Sequence, residues 1–202
     1  MDRPPPLPEF AHRTRFTERM VLANGLGGSF GRWLFLPGML FNGSDRWWGG
    51  KGTRNVPHEG LDFCLYEDGR GRILHLGAGS SVPAMYDGTV VGIVDDLLGK
   101  TIVMEHRFPQ VPAFRLITVY SHTKPARGVR PGEAFKAGDS VAAIASPGAT
   151  GKAVDPHLHV SLGWPSGAVD LRRLNWQNMT EGLVMFDPIE AVDGPFKAYS
   201  PA

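Results

Sequence analysis

From about residue 72 onward, apolar and polar residues alternate over short runs, which predicts strands at 72–76, 82–85, 89–94, 101–106, 115–121, 140–145 and 157–162. Turn-forming residues separate them at Tyr86-Asp87-Gly88, Gly99-Lys100, Arg130-Pro131-Gly132, Ala137-Gly138-Asp139 and Ser146-Pro147-Gly148. Short strands broken by regular turns predict a mainly β fold, an antiparallel sheet or a barrel-like sandwich. Helical periodicity is thin, and its best stretch is 170–177. The first fifty residues have another texture. Residues 1–8 are proline-rich and read as extended, while residues 24–50 mix glycine with large aromatics and read as an irregular covering segment. No repeat, charge block or sharp compositional break divides the chain, which reads as one domain with elaborated ends.

Composition narrows this picture. The 26 glycines and 17 prolines follow no Gly-X-Y period and fit a fold with many turns and few long helices. A formal net charge of +1 provides no global field for nucleic acid, so any partner has to be read from a local site. The single cysteine, Cys64, excludes an intramolecular disulfide framework. The most apolar run, 33–41, is broken by Pro37 and Gly38 and falls far short of the ~20 residues that span a bilayer, so no transmembrane helix is expected. The opening residues do not have the charged, apolar and small-residue sequence of a secretory signal, which leaves a cytoplasmic location or a leader absent from this chain as expectations.

The candidate chemistry lies in the histidines: His12, His58, His75, His106, His122, His157 and His159. On a strand, His157 and His159 project from one face while Leu158 and Val160 turn to the other, so the two imidazoles can form a metal-binding pair. The same spacing also suits two hydrogen-bonded histidines on a sheet, and a second element is needed. Pro57-His58-Glu59-Gly60-Leu61-Asp62 supplies one, with an imidazole and a carboxylate four residues apart, both donor types that zinc accepts. His58-Glu59 has the look of a helical zinc-protease motif, but Pro57, Gly60 and the alternation after Leu61 favour a turn entering a strand, and Glu59 reads as a solvated loop carboxylate. His58, Asp62 and one of the downstream histidines would make three protein ligands and leave a fourth position open, the pattern of a catalytic zinc site. His122 closes a predicted strand, where side chains meet a cleft.

Taken in order, His58-x-x-x-Asp62, Tyr120-x-His122 and His157-x-His159 resemble the M23 zinc metallopeptidases of lysostaphin and LytM type. The text between them agrees: Val82-Pro83-Ala84, Asp87-Gly88-Thr89-Val90, Val129-x-Pro131-Gly132, Ala137-Gly138-Asp139, Gly148-Ala149-Thr150-Gly151 and Asp187-Pro188-Ile189 are similar to that family's turns and strand starts. The resemblance covers residues 52–192, leaving residues 1–51 as an extension packed on the core and 193–202 as a tail. It implies an antiparallel β core crossed by a groove, one zinc ion held by His58, Asp62 and His159, and catalytic roles for His122 and His157. It further implies an endopeptidase acting on peptidoglycan cross-link or stem peptides in the cell envelope, or alternatively a non-catalytic wall-binding or hydrolase-activating module of the same fold. His106 falls where relatives carry a histidine that does not bind metal. The insertion 164–186 and the aromatic N-terminal segment depart from the common core.

Other features read as structural. The stretch 146–153 lacks both the first glycine and the final hydroxyl residue of a phosphate loop and reads as a turn. Arg46-Trp47-Trp48 suits a ligand-stacking or peptide-contacting patch and, more commonly, packing of the extension onto the core; Cys64 reads as a buried small hydrophobe, and His12 and His75 as surface or packing residues.

Overall fold

Most of the alternation after residue 72 belongs to one sheet that carries an apolar layer on each face, and its first run, 72–76, to a second, smaller sheet. A computed structural model describes residues 5–12, 14–146 and 154–200; the Gly148-Ala149-Thr150-Gly151 turn, most of the stretch 146–153 and the first four residues of the proline-rich start lie outside the described residues. In chain order the elements are α1 (Phe16–Ala23), β1 (Phe30–Phe35), β2 (Leu61–Phe63), β3 (Leu65–Asp68), β4 (Ile73–His75), β5 (Ser81–Pro83) and β6 (Gly88–Asp95). They continue with β7 (Lys100–Arg107), β8 (Arg115–Pro125), β9 (Ala134–Phe135), β10 (Ser140–Ile144), β11 (Leu158–Pro165), α2 (Met179–Gly182), β12 (Leu183–Phe186) and β13 (Phe196–Ala198). The principal sheet runs β12-β11-β8-β7-β6-β9, with β2 on β11, β10 on β8 and β5 on β10, and all its pairs are antiparallel. A smaller sheet runs β13-β1-β3-β4, in which only β13 and β1 are parallel. The fold is therefore mainly β and antiparallel, as the strand and turn spacing predicts.

Side-chain alternation divides the buried residues between two layers. Ile102 and Met104 of β7, Leu116 and Tyr120 of β8, and Leu158, Val160 and Leu162 of β11 join Phe16, Met20, Trp33, Phe35 and Phe63 in the main core. Val103, Ile117 and Val119 face the other way, against Leu171, Leu174, Met179 and Leu183. Burial of each large side chain contributes ~1.5–3 kcal/mol, so the second layer ties the insertion to the sheet. The helix expected at 170–177 is absent. In its place are a 3-10 turn at Leu171–Arg173, capped by the Asp170 carboxylate on the Arg172 N–H, and the single turn of α2. The apolar residues there are spaced for plugging a sheet face and are too sparse for a helical stripe.

The N-terminal segment has more regular structure than its glycine and tryptophan content suggests. Phe16 and Met20, one helical turn apart, bury the inner face of α1, and the Trp33 indole N–H of β1 donates to Thr17 Oγ at 3.0 Å. The N-cap residue Arg15, at a left-handed φ of 53°, makes no capping bond of its own; the first helical N–H groups instead donate to Thr14 Oγ (from Phe16, 3.1 Å) and to the distant Asp193 Oδ1 (from Thr17, 3.2 Å).

His106 lies fully buried on β7, away from the other histidines of interest. Its Nδ1–H donates to the Asp87 carbonyl at 3.0 Å and its Nε2 accepts from Thr118 Oγ at 2.9 Å, which defines a neutral ring. A Cβ on Gly88 would come within 2.3 Å of that ring, so the Asp87-Gly88 turn requires glycine for space. Burial pushes the His106 pKa down to about 4, against hydrogen bonding to Asp87. The unfolded chain protonates this imidazole near pH 6.5, so between that pH and about 4 it binds more protons than the fold, and stability falls as pH falls, by about 3 kcal/mol in all. Urea unfolding across this window is expected to show that loss in the parent protein and to lack this component in His106→Gln; equal slopes would refute the role.

Candidate active site

Three neighbouring strands build the site by register. On β11, His159 lies directly opposite Asp62 of β2 on one side and Ser121 of β8 on the other, so all three side chains share one face. This is the face that the insertion covers further along. His58 lies just before β2, with its Nδ1–H donating to the Leu40 carbonyl at 3.0 Å and Nε2 turned inward. Gly60 is required here because a Cβ would meet the His159 ring at 2.7 Å.

The inward atoms converge. His58 Nε2 lies 3.1 Å from Asp62 Oδ1 and 3.0 Å from His159 Nδ1, and His159 Nδ1 lies 2.8 Å from Asp62 Oδ1. All three residues are buried and can hold a metal ion. Lone pairs this close repel unless a proton or a cation lies among them. Their spacing also approaches the ~3.3 Å between tetrahedral ligands at zinc bond lengths, and nitrogen with carboxylate oxygen is a donor set zinc accepts. Ser161 Oγ, 2.8 Å from His159 Nε2, can take the second ring N–H and leave Nδ1 facing the cluster. The other Asp62 oxygen is occupied: the Trp47 indole N–H donates to Oδ2 at 2.7 Å, and Arg54 Nη2 approaches it at 3.4 Å. Asp62 therefore offers a single oxygen to the cluster.

Two further imidazoles flank the trio. His157 places Nε2 3.9 Å from Asp62 Oδ1, and its Nδ1–H donates to the Asp155 carbonyl at 2.9 Å. Its ring meets Trp47 at 4.9 Å and His122 at 4.7 Å between centroids. His122 arrives by a different route. In a regular strand it would point away from the face that Ser121 occupies, but the β7–β8 register slips by one residue beyond Ile102 and Tyr120, and His122 has a φ of 62°. Such a bulge turns a side chain out of alternation. A cleft of about 410 Å³ opens over these groups, with Arg46, Trp48, Leu97, Leu98 and Trp176 among its walls.

Electrostatics follow burial and partners. Burial opposes a charged Asp62, yet the charge of His58 and hydrogen bonding to His159 and His58 hold its pKa well below the usual carboxylate range. Burial also opposes a charged His159, but its bond to Asp62 outweighs this and raises its pKa. Burial pushes His157 down to about 4. Asp96, on the β6–β7 turn, is held below the ordinary range despite burial by its bonds to His122 and Leu98.

The structure thus gathers His58, Asp62, His159, His157 and His122, and leaves His12, His75 and His106 elsewhere. His12 bonds the Leu7 carbonyl, and His75 is exposed. Cys64 is buried in the main core, its thiol pushed up to about 12 by burial. It also approaches His75 and Asp155, both exposed. Glu59 is half-buried at the cleft wall, outside the converging trio. Arg54, Asp96 and Ser161 escape the sequence reading, and Trp47, read there chiefly as packing, bonds Asp62 while Arg46 and Trp48 line the cleft. Only His159-x-Ser161, two residues apart on a strand, carried a local signal; the others meet the site through tertiary contacts.

The family model of peptidase family M23 matches residues 67–171, more than half of the chain; this stretch includes His122, His157 and His159 and begins after His58 and Asp62. No curated protein matches. Among solved structures, a mutant catalytic domain of the prophage-encoded M23 protein EnpA from Enterococcus faecalis is similar, with 23% identity and a TM-score of 0.39 over 60% of this chain and 78% of that one. With a match of that extent to its family model, the chain belongs to peptidase family M23.

Proposed function

We propose that this protein is a zinc-dependent endopeptidase that hydrolyses amide bonds in the cross-link or stem peptides of peptidoglycan, and so acts in the cell envelope. The convergence of His58, Asp62 and His159 within 3.1 Å, flanked by two imidazoles at an open cleft, carries the reading. Residues 52–192 would form the metallopeptidase unit, 1–51 an extension that lends Trp47 to the site, and 193–202 a tail.

On this reading His58 Nε2, Asp62 Oδ1 and His159 Nδ1 hold the ion. The chemistry supplied by zinc bound there is Lewis acidity, which polarises an amide carbonyl and makes water acidic enough to attack near neutral pH. The chain's own residues do the rest. His157, its Nδ1–H committed to Asp155, presents an Nε2 lone pair that can orient the attacking water. His122, facing it across the cleft, can take the proton of that water and return it to the leaving amine. Trp47 and Arg54 hold Asp62 in its single-oxygen pose.

Digestion of purified peptidoglycan by the zinc-loaded protein is expected to release fragments whose masses show new amino and carboxyl termini, and a chelator should stop the release. Intact peptides after incubation with zinc-loaded protein would overturn the proposal.

A further inference from the structure

Asp96 lies on the turn between β6 and β7, and its side chain is 1% exposed. Four donors meet its carboxylate. The Leu98 N–H and His122 Nδ1 lie 2.8 and 3.2 Å from Oδ1, and the His122 N–H and Thr101 Oγ lie 2.8 and 3.0 Å from Oδ2. Among the described residues no lysine or arginine pairs with it, and its one ionisable partner is His122. Burying a carboxylate is costly unless its oxygens are satisfied. The Leu98 N–H of the turn by itself would need only an amide or hydroxyl oxygen, whereas both carboxylate oxygens are engaged, each by one donor of His122.

We propose that Asp96 is a positioning residue for His122, fixing which ring nitrogen carries the proton and holding the bulge that brings the ring into the cleft. An ionised carboxylate can only accept, so Nδ1 must be the donor and Nε2 is left as a lone pair for the cleft. The same group works on the backbone. The bulge takes the His122 N–H out of the β7–β8 ladder and places the residue at a φ of 62°, and Asp96 Oδ2 receives that orphaned donor. Ring and backbone of His122, within β8, are thus tied to one side chain from the β6–β7 turn. The inference rests on the reading of His122 as a proton carrier in a peptidase.

The test uses zinc-loaded protein. Long-range nitrogen-proton spectra of the imidazoles, with His122 assigned by its loss in His122→Ala, are expected to show the neutral ring protonated on Nδ1. In Asp96→Asn an amide N–H can face the ring and move the proton to Nε2. Turnover of solubilised peptidoglycan peptides should then fall about 10²–10⁴-fold, the usual span for a disabled acid-base group. KM should stay within about twofold, since ground-state binding is untouched, with zinc content unchanged. A parent ring protonated on Nε2 would overturn the inference even if Asp96→Asn failed to fold. So would parental turnover in Asp96→Asn, or a loss matched by lost zinc without a tautomer change. Full activity in His122→Ala would instead remove the proton-carrier reading, while the ring spectra still judge Asp96.

Discussion

Asp62→Ala protein is expected to purify without zinc and to release nothing from peptidoglycan. The substitution deletes Oδ1, the oxygen within 3.1 Å of both His58 Nε2 and His159 Nδ1, and leaves two neutral imidazoles to hold a divalent cation alone. It also strands the Trp47 N–H that now bonds Oδ2 and takes from Arg54 its anionic partner, leaving that guanidinium its bonds to the Gly38 and Asp45 carbonyls. Loss of an outer hydrogen-bond partner typically weakens metal binding by about 10–100-fold, and loss of a ligand should exceed that range. Trp47→Phe offers the graded comparison. It removes only the indole N–H, keeps an aromatic ring beside His157, and should weaken zinc binding within that narrower range. Chelator competition with metal analysis measures both variants. Zinc at parental stoichiometry in Asp62→Ala would refute the ligand assignment.

His122→Ala is expected to separate binding from turnover. The ring centroid lies 6.0 Å from that of His159 and outside the converging trio, so zinc should be retained at parental stoichiometry. Turnover should fall about 10²–10⁴-fold because no other group replaces the proton carrier. Some stability should be lost as well, since the buried Asp96 carboxylate gives up its imidazole partner. Peptide release by mass spectrometry and zinc content on the same preparation decide the case. Unchanged turnover would exclude His122 from the chemistry, and lost zinc would make it part of the metal-holding set.

Where local chemistry sets the structure, the sequence was readable. Strands β4 to β8, β10 and β11 follow from alternation and turn residues, because strand periodicity belongs to the backbone itself, whereas the short β9, β12 and β13 carry no such pattern and form only by pairing with neighbours. The His157-x-His159 pair shares a site by the same rule, although His157 sits one residue ahead of β11. Gly60 was read as a helix breaker before β2, and it proves also to make room for the His159 ring. The N-terminal segment was harder to read. An eight-residue helix capped in part by the distant Asp193 and a strand assembled from Gly-Arg-Trp give weak periodic signals, and both are held by packing against Phe63 and its neighbours.

The sequence by itself determined the mainly β architecture, the donor types available to a metal and the placement of two imidazoles on one strand edge, since all of these depend on residue identity and on spacing of a few positions. Only the tertiary structure decided that Asp62 pairs across a strand with His159, that a bulge turns His122 into the cleft, and that Trp47 and Asp96 reach the site from other parts of the chain. Those arrangements depend on register and on contacts between distant segments, which are set by how both faces of the sheet are buried.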